Sequence, residues 1–174
     1  MTDGTGSRPG SGNSEDPSHF PEILELLRGR DCSFRVTEHE PISSAQEAAA
    51  VRDTPTTMGA KAIVFKTDGD FRLFVLRASD RIRSRLVRKE LGVSRTRFAN
   101  RKELLELTSC EPGAVPPFGR PILDLDLYLD PALLENDEIV FTPGRRDRSV
   151  FLATGDYLRI AETAKVFRFA EPPE

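Results

Sequence analysis

Residues 60–76 read Ala-Lys-Ala-Ile-Val-Phe-Lys-Thr-Asp-Gly-Asp-Phe-Arg-Leu-Phe-Val-Leu. Two runs rich in β-forming residues, Ala60–Lys66 and Phe71–Leu76, flank an Asp68-Gly69-Asp70 turn, which is the signature of a β-hairpin. A hairpin makes its two strands antiparallel. On either side the chain alternates helical and strand patterns, and several neighbouring strands are joined by tight turns. A purely parallel, doubly wound sheet is therefore excluded. The pattern predicts a single α/β domain, a mixed sheet surrounded by helices.

Upstream of the hairpin, residues 1–18 are Gly, Ser, Pro, Asp and Asn with almost nothing to bury, and they predict a disordered tail. The folded domain is expected over 19–171. Phe20, Ile23, Leu24 and Leu27 follow helical spacing, with Gly29 as a stop. Ser33–Glu38 reads as a strand. Ser44 and Glu47 form a capping box for a short helix, Ala45–Val51.

Downstream, Asp80 is placed to cap a helix that runs through Leu91 to Gly92. Asn100 and Glu103 make a second capping box, ahead of Leu104, Leu105 and Leu107. A loop, Ser-Cys-Glu-Pro-Gly-Ala-Val-Pro-Pro-Phe-Gly, occupies 109–119. Leu123, Leu125, Leu127 and Leu129 then alternate with Asp124, Asp126, Tyr128 and Asp130, which predicts a half-buried strand. Two short strands flank the Gly144-Arg145-Arg146 turn. A last helix is expected near Asp156–Thr163, leading into Val166–Phe169.

The chain has 174 residues, 38% hydrophobic and 30% charged, ordinary values for one globular domain with a tail. No apolar run reaches the length of a membrane span, and the N-terminus has no apolar signal core. Cys32 and Cys110 lie outside any metal-binding spacing, so neither a disulfide framework nor a metal or other cofactor is expected. The expected compartment is the reducing cytosol.

The net charge of −3 does not point to nucleic acid, but its distribution does. Arg77–Lys102 holds ten Arg or Lys against two acidic residues. Such a run is either a solvated helix face or a surface for a phosphate backbone.

Two features could carry chemistry. Lys61 opens an apolar strand and shares a face with Ile63 and Phe65. It either snorkels to solvent or points into a cleft that receives an anion. In the 109–119 loop, Pro112-Gly113 is a turn pair, and Pro116 and Pro117 stiffen the exit. A rigid turn with free N–H groups can hold a carbonyl or a developing oxyanion; the same residues also serve as a plain helix-to-strand connection. Cys110 has no base or pKa-lowering neighbour in sequence, so a nucleophilic role is not supported. His39, between Glu38 and Glu40, reads as a base or as a surface histidine.

These residues together resemble the YbaK/prolyl-tRNA synthetase-associated editing domain family over about 20–169. The match runs through His39-Glu40-Pro41, Ser44-Ala45-Gln46-Glu47-Ala48-Ala49 and Gly59-Ala60-Lys61-Ala62-Ile63-Val64. It continues through Glu111-Pro112-Gly113 with Pro117-Phe118-Gly119, Tyr128-Leu129-Asp130 with Leu133-Leu134, and Gly144-Arg145. Their order and spacing, rather than one motif, make the resemblance specific.

The resemblance implies a mixed, partly curled sheet with helices around it. It implies an aminoacyl-tRNA deacylase, acting in trans, that hydrolyses the ester between a wrong amino acid and the terminal adenosine. Lys61 matches the family's functional lysine. Ser109–Gly113 matches its Gly-x-x-x-Pro or Gly-x-x-Pro-Gly loop, with Ser109 standing where the family has its first glycine. Lys61, Ser109, Pro112 and Gly113 are thus implied as catalytic. Cys110, Glu111, Phe118, Gly119 and Gly144 are implied as substrate-binding, with Gly144 on the opposite wall. Arg81, Arg83, Arg85 and Arg88, on a predicted helix, become the tRNA-binding set. The implied partners are the acceptor end of a mischarged tRNA and an aminoacyl-tRNA synthetase. Two other readings stay open: a non-catalytic module of the same fold that binds tRNA or a synthetase, and a tRNA-independent hydrolase of small esters.

Overall fold

The computed structural model describes residues 16–174. Of the expected tail, residues 1–15 lie outside the described residues. Asp16–Ser18 rest on the domain, where Asp16 pairs with Arg145 at 3.0 Å. In chain order the elements are α1 (Phe20–Gly29), β1 (Phe34–Glu38), α2 (Ala45–Arg52), β2 (Ala60–Thr67), β3 (Asp70–Arg77), β4 (Arg81–Ile82), α3 (Ser84–Leu91), β5 (Thr96–Phe98), α4 (Arg101–Thr108), β6 (Leu127–Leu129), β7 (Glu138–Phe141), β8 (Arg148–Ala153), α5 (Thr154–Ile160), β9 (Lys165–Val166) and β10 (Ala170–Glu171).

The expected hairpin is the centre of the fold. β2 and β3 pair antiparallel along their whole length, from Ala60 opposite Arg77 to Thr67 opposite Asp70. They sit in a five-stranded sheet of order β5-β2-β3-β6-β9. β5 joins antiparallel, whereas β6 and β9 join parallel, so the sheet is mixed as expected. A second, antiparallel sheet has the order β1-β8-β7. A parallel bridge from Gly59 to Val140 ties it to the start of β2.

The run Leu73–Leu76 is apolar without a break because both faces of the central sheet are covered. Val64, Leu73 and Val75 face a core shared with Ile23 and Leu27 of α1 and with Ile139, Val150 and Leu152 of the second sheet. Phe65, Phe74 and Leu76 face an aromatic cluster with Tyr128, Phe167 and Phe169, closed by Val87 of α3. There Phe74 stacks on Tyr128 at 5.3 Å and meets Phe169 edge-on at 5.1 Å.

Three local expectations are corrected. Asp80 is not a helix cap: α3 begins at Ser84 after Arg83, and Asp80, 2% exposed, is held in a two-point ion pair by Arg77. Intervening Arg81–Ile82 pairs instead with Ala170–Glu171. Second, only Leu127–Leu129 of the alternating stretch is a strand. Upstream, Gly119 turns the chain and its carbonyl accepts from the N–H groups of Ile122 and Leu123. Leu123 and Leu125 reach the core from this turn, so alternation of leucines arises without extended pairing. Asp130, expected on the solvent side, is buried and accepts from the N–H groups of Ala132, Phe169 and Ala170 at 2.9 Å each. Third, the last helix begins two residues earlier and ends three earlier than expected, at Thr154–Ile160.

Candidate functional site

Lys61 is the second residue of β2, on the face that carries Ile63 and Phe65, just past the end of the aromatic cluster. Its ammonium donates to the main-chain oxygen of Asp80 at 2.7 Å. Burial lowers the Lys61 pKa; the carboxylate of Asp80 opposes the fall and Arg81 adds to it. The half-buried side chain lines a cleft of about 200 Å³.

The walls of this cleft come from four places. Ser43, Ser44, Ala45 and Ala48 belong to the start of α2, whose N-cap Ser44 accepts from Glu47 N–H at 3.1 Å. Gly59, Ala60 and Ala62 come from the entry to β2, with Ala78 beside them from the end of β3. Gly113 and Val115 supply the loop wall, and Thr142 follows β7. Most of these side chains are a methyl group or less, so β2 and α2 leave room between them. Gly113 has φ +87°, a conformation that suits glycine. Its carbonyl accepts from Thr142 Oγ1 at 3.1 Å, which fixes the peptide plane at the cleft wall. Among the described residues, the N–H groups of Gly113 and Val115 make no hydrogen bond.

Lys61 and Gly113 are thus brought together, although 52 positions separate them in sequence. The other sequence-derived residues fall elsewhere. Ser109 ends α4 in the left-handed region at φ 58°, the conformation in which a glycine is expected; the serine keeps the backbone course at a steric cost. Ser109, Cys110, Glu111 and Gly144 line a separate hollow with Arg146 and Pro17. Cys110 is 2% exposed, and burial raises its thiol pKa, the reverse of an activated nucleophile. Glu111 pairs with Arg101 at 2.7 Å, and Pro112 is exposed. Gly144 abuts His19 rather than the cleft: a Cβ there would meet His19 N at 3.0 Å.

Phe118 is core, edge-on to Phe141 and Tyr157 at 5.4 and 5.6 Å. Gly119 is required by packing, since a Cβ would lie 2.6 Å from the Leu125 carbonyl oxygen. The Tyr157 hydroxyl donates to the Pro117 carbonyl at 2.6 Å and anchors the loop exit to α5.

The four arginines of the basic run also separate, and only Arg85 and Arg88 are on a helix. Arg81, on β4, lines a shallow groove that shares Lys61 with the cleft. Arg83 pairs with Glu171 at 3.1 Å. Arg85 is exposed on α3, and Arg88 lines a distinct hollow with Lys66, Arg95 and Arg97. Sequence reading missed Arg52, which lines the Lys61 cleft from the last turn of α2. No periodicity or motif marks it. Among the described residues, no group of three His, Cys, Asp or Glu is placed to hold a metal, and no helix is long and apolar enough to cross a membrane.

Against known proteins, a model of the aminoacyl-tRNA editing domain matches residues 39–160, a span that contains Arg52, Lys61 and Gly113. The chain is 38% identical over 146 residues to the multifunctional Ser/Thr-tRNA deacylase ProXp-y of Escherichia coli (strain K12), covering 80% of this chain and 86% of that protein. It is 25% identical over 120 residues to the proline–tRNA ligase of Bacillus pumilus, covering 68% of this chain and 19% of that enzyme. Two solved structures share the fold. One, hypothetical protein APE2540, has a TM-score of 0.76 at 20% identity, over 86% of this chain and 99% of that one. The other, described as a candidate trans-editing enzyme for prolyl tRNA synthetase, has a TM-score of 0.74 at 24% identity, over 88% of this chain and 97% of that one. The chain belongs to the aminoacyl-tRNA editing domain family.

Proposed function

We propose that this member of the aminoacyl-tRNA editing domain family is a deacylase that acts in trans on mischarged tRNA in the cytosol, releasing a small hydroxylated amino acid from the terminal adenosine. The observation that carries the reading is the juxtaposition of Lys61 and Gly113 across one cleft inside the family match. The likeness to a Ser/Thr-tRNA deacylase over 86% of that protein's length supports both a free-standing enzyme and the choice of serine or threonine. Ser43, Ser44 and Thr142 are the hydroxyls that line the cleft, and its alanines limit side-chain size.

An aminoacyl ester is already activated, so hydrolysis needs orientation and oxyanion stabilisation more than a strong base. Lys61 would act as a point charge on the phosphate or ribose of the terminal nucleotide. The N–H groups of Gly113 and Val115 would take the carbonyl oxygen as negative charge develops on it. Water, or a substrate hydroxyl, attacks the carbonyl carbon, and the ester C–O bond breaks to leave the free amino acid and a ribose hydroxyl.

The test is deacylation of a tRNA panel charged with alanine, cysteine, serine, threonine and proline. Turnover of Ser- or Thr-tRNA above that of the correctly charged tRNA is expected. Tight binding without turnover of any ester would identify a non-catalytic module. Hydrolysis of small amino-acid esters at rates equal to the tRNA esters would identify a tRNA-independent hydrolase.

A further inference from the structure

Arg52 is a partly buried guanidinium with no counter-ion among the described residues. Burial alone lowers its pKa to about 10, and no carboxylate contributes. Among the described residues it makes no ion pair; its one hydrogen bond runs from Nε to Ser149 Oγ at 2.8 Å. Two other half-buried arginines are paired, Arg77 with Asp80 at 2.7 Å and Arg83 with Glu171 at 3.1 Å, whereas Arg88 of the open hollow beside Lys66 is not, among the described residues. A desolvated charge with no partner is costly, so its retention calls for an anion that arrives from outside.

The side chain is also held. Ser149 is fully buried on β8. Its Oγ lies 2.7 Å from His39 Nε2, and His39 Nδ1 lies 2.8 Å from the Glu40 carbonyl. A carbonyl only accepts, so Nδ1 bears a proton; with that tautomer Nε2 is placed to accept from the Ser149 hydroxyl. That leaves the Ser149 oxygen to receive Arg52 Nε–H. The chain of donors is complete, and it fixes the plane of the guanidinium from behind. The terminal nitrogens are left for the cleft, with Nη1 close by Gly59, another lining residue.

We propose that Arg52 is a second substrate-binding cation of this cleft, receiving the phosphodiester of the terminal nucleotide, with Ser149 and His39 as positioning residues behind it. This rests on the deacylase reading. In an aminoacyl-tRNA 3′ end the amino acid's carboxyl group is consumed in the ester, and its α-amine is cationic or neutral. The phosphodiester is the only standing negative charge there. A planar fork whose Nε is already tied presents its two terminal nitrogens to two phosphate oxygens, a geometry that a lysine cannot reproduce.

The experiment compares two non-hydrolysable probes, 3′-serylamido-adenosine with a 5′-phosphate and with a 5′-hydroxyl, by calorimetric titration of the full chain. Wild type is expected to prefer the phosphorylated probe by more than about tenfold, as charged hydrogen bonds of this kind contribute. Arg52→Gln is expected to lose about tenfold of that preference, Arg52→Lys to keep an intermediate share, and Ser149→Ala to reduce it while leaving the hydroxyl probe's affinity unchanged. Melting curves run in parallel. An Arg52→Gln protein that melts earlier yet keeps the full preference makes Arg52 a tie between α2 and β8 and overturns the inference. So does a wild type indifferent to the phosphate, whatever the variants do. A wild type that binds neither probe overturns the deacylase reading itself, and with it the role of Arg52.

Discussion

Two positively charged regions of this molecule hold their charge in opposite ways. In Arg77–Lys102, the densest run of cations in the sequence, Arg77, Arg83, Arg97 and Arg101 each face a carboxylate within 2.7–3.1 Å. Of the other six, Arg81, Arg85, Lys89, Arg95 and Lys102 are exposed, and Arg88 is half-buried in an open hollow with no carboxylate partner among the described residues. In the cleft there are two cations, Lys61 and Arg52. Both are lowered in pKa chiefly by burial, and their hydrogen bonds go to a main-chain oxygen and a serine hydroxyl. A count of charges finds the first region and misses half of the second. Desolvation, not density, sets the two cleft cations apart from the exposed majority of the run.

This contrast can be broken most forcefully at Lys61. Lys61→Ala should lower single-turnover deacylation by about 100-fold or more, the scale on which a misplaced substrate loses rate, with circular dichroism unchanged. A folded variant with wild-type turnover would return Lys61 to a snorkelling role. Gly113→Val should come next. Its φ of +87° is adverse to a β-branched residue, at about 1–3 kcal/mol, although a Cβ would meet only Arg146 Cδ at 4.0 Å. Activity should fall further than stability, because the displaced peptide is the one that Thr142 orients. Turnover and a urea melt on the same sample check the order of the two effects.

The surface run should show a smaller, purely ionic effect. Reversing Arg88 and Arg95 together should weaken tRNA binding and reduce the log–log salt slope by about two units at most, while the rate constant at saturating tRNA holds. Reversing Arg83 should do less to affinity, since Glu171 already occupies it. Equal losses from both changes would mean that pairing does not discriminate here.

Acidity offers a finer test. The Lys61 ammonium is charged below its lowered pKa, so tRNA affinity should fall at a lower pH than for an exposed lysine as alkali is added. Lys61→Arg should remove that alkaline step. Because the folded pKa lies below the unfolded one, this group's desolvation cost to stability is full below the folded value. It fades as pH rises from there to the ordinary lysine value. Smallest of all, Ser109→Gly should raise stability by about 1 kcal/mol at most, by relieving the left-handed serine at φ 58°. An unchanged or lower melting temperature would show that the serine meets no penalty.

Much of the architecture was legible because its signals are local. The Asp68-Gly69-Asp70 turn and the Asn100–Glu103 capping box need only neighbours to form, and both stand where the sequence places them. The alternation over 123–130 misled because burial, not extension, is what leucine reports. Gly119 lets the chain turn back onto Leu125, so two leucines reach the core from a loop. Asp80 misled similarly: a carboxylate before a helix looks like a cap until an arginine three residues earlier claims it.

At the site, Lys61 and Gly113 were legible as residue types with a chemical use. Their neighbours in sequence were not so readily assigned. Cys110 and Glu111 adjoin Gly113 in sequence yet open on a different hollow, because the chain reverses between Glu111 and Ala114; Gly144, from a separate turn, lines that same hollow against His19. Phe118 and Gly119 hold the loop exit by packing. Arg52 closes an alanine-rich helix, where a terminal arginine is ordinary. Only the three-dimensional fact that no carboxylate approaches it makes it stand out.

The most direct measurement is a crystal structure of the chain with phosphorylated 3′-serylamido-adenosine. The seryl carbonyl is expected against the N–H groups of Gly113 and Val115, and the phosphate within reach of Lys61 and Arg52. A probe lodged instead in the hollow of Ser109, Cys110, Glu111 and Gly144, or beside Lys66 and Arg88, would contradict it.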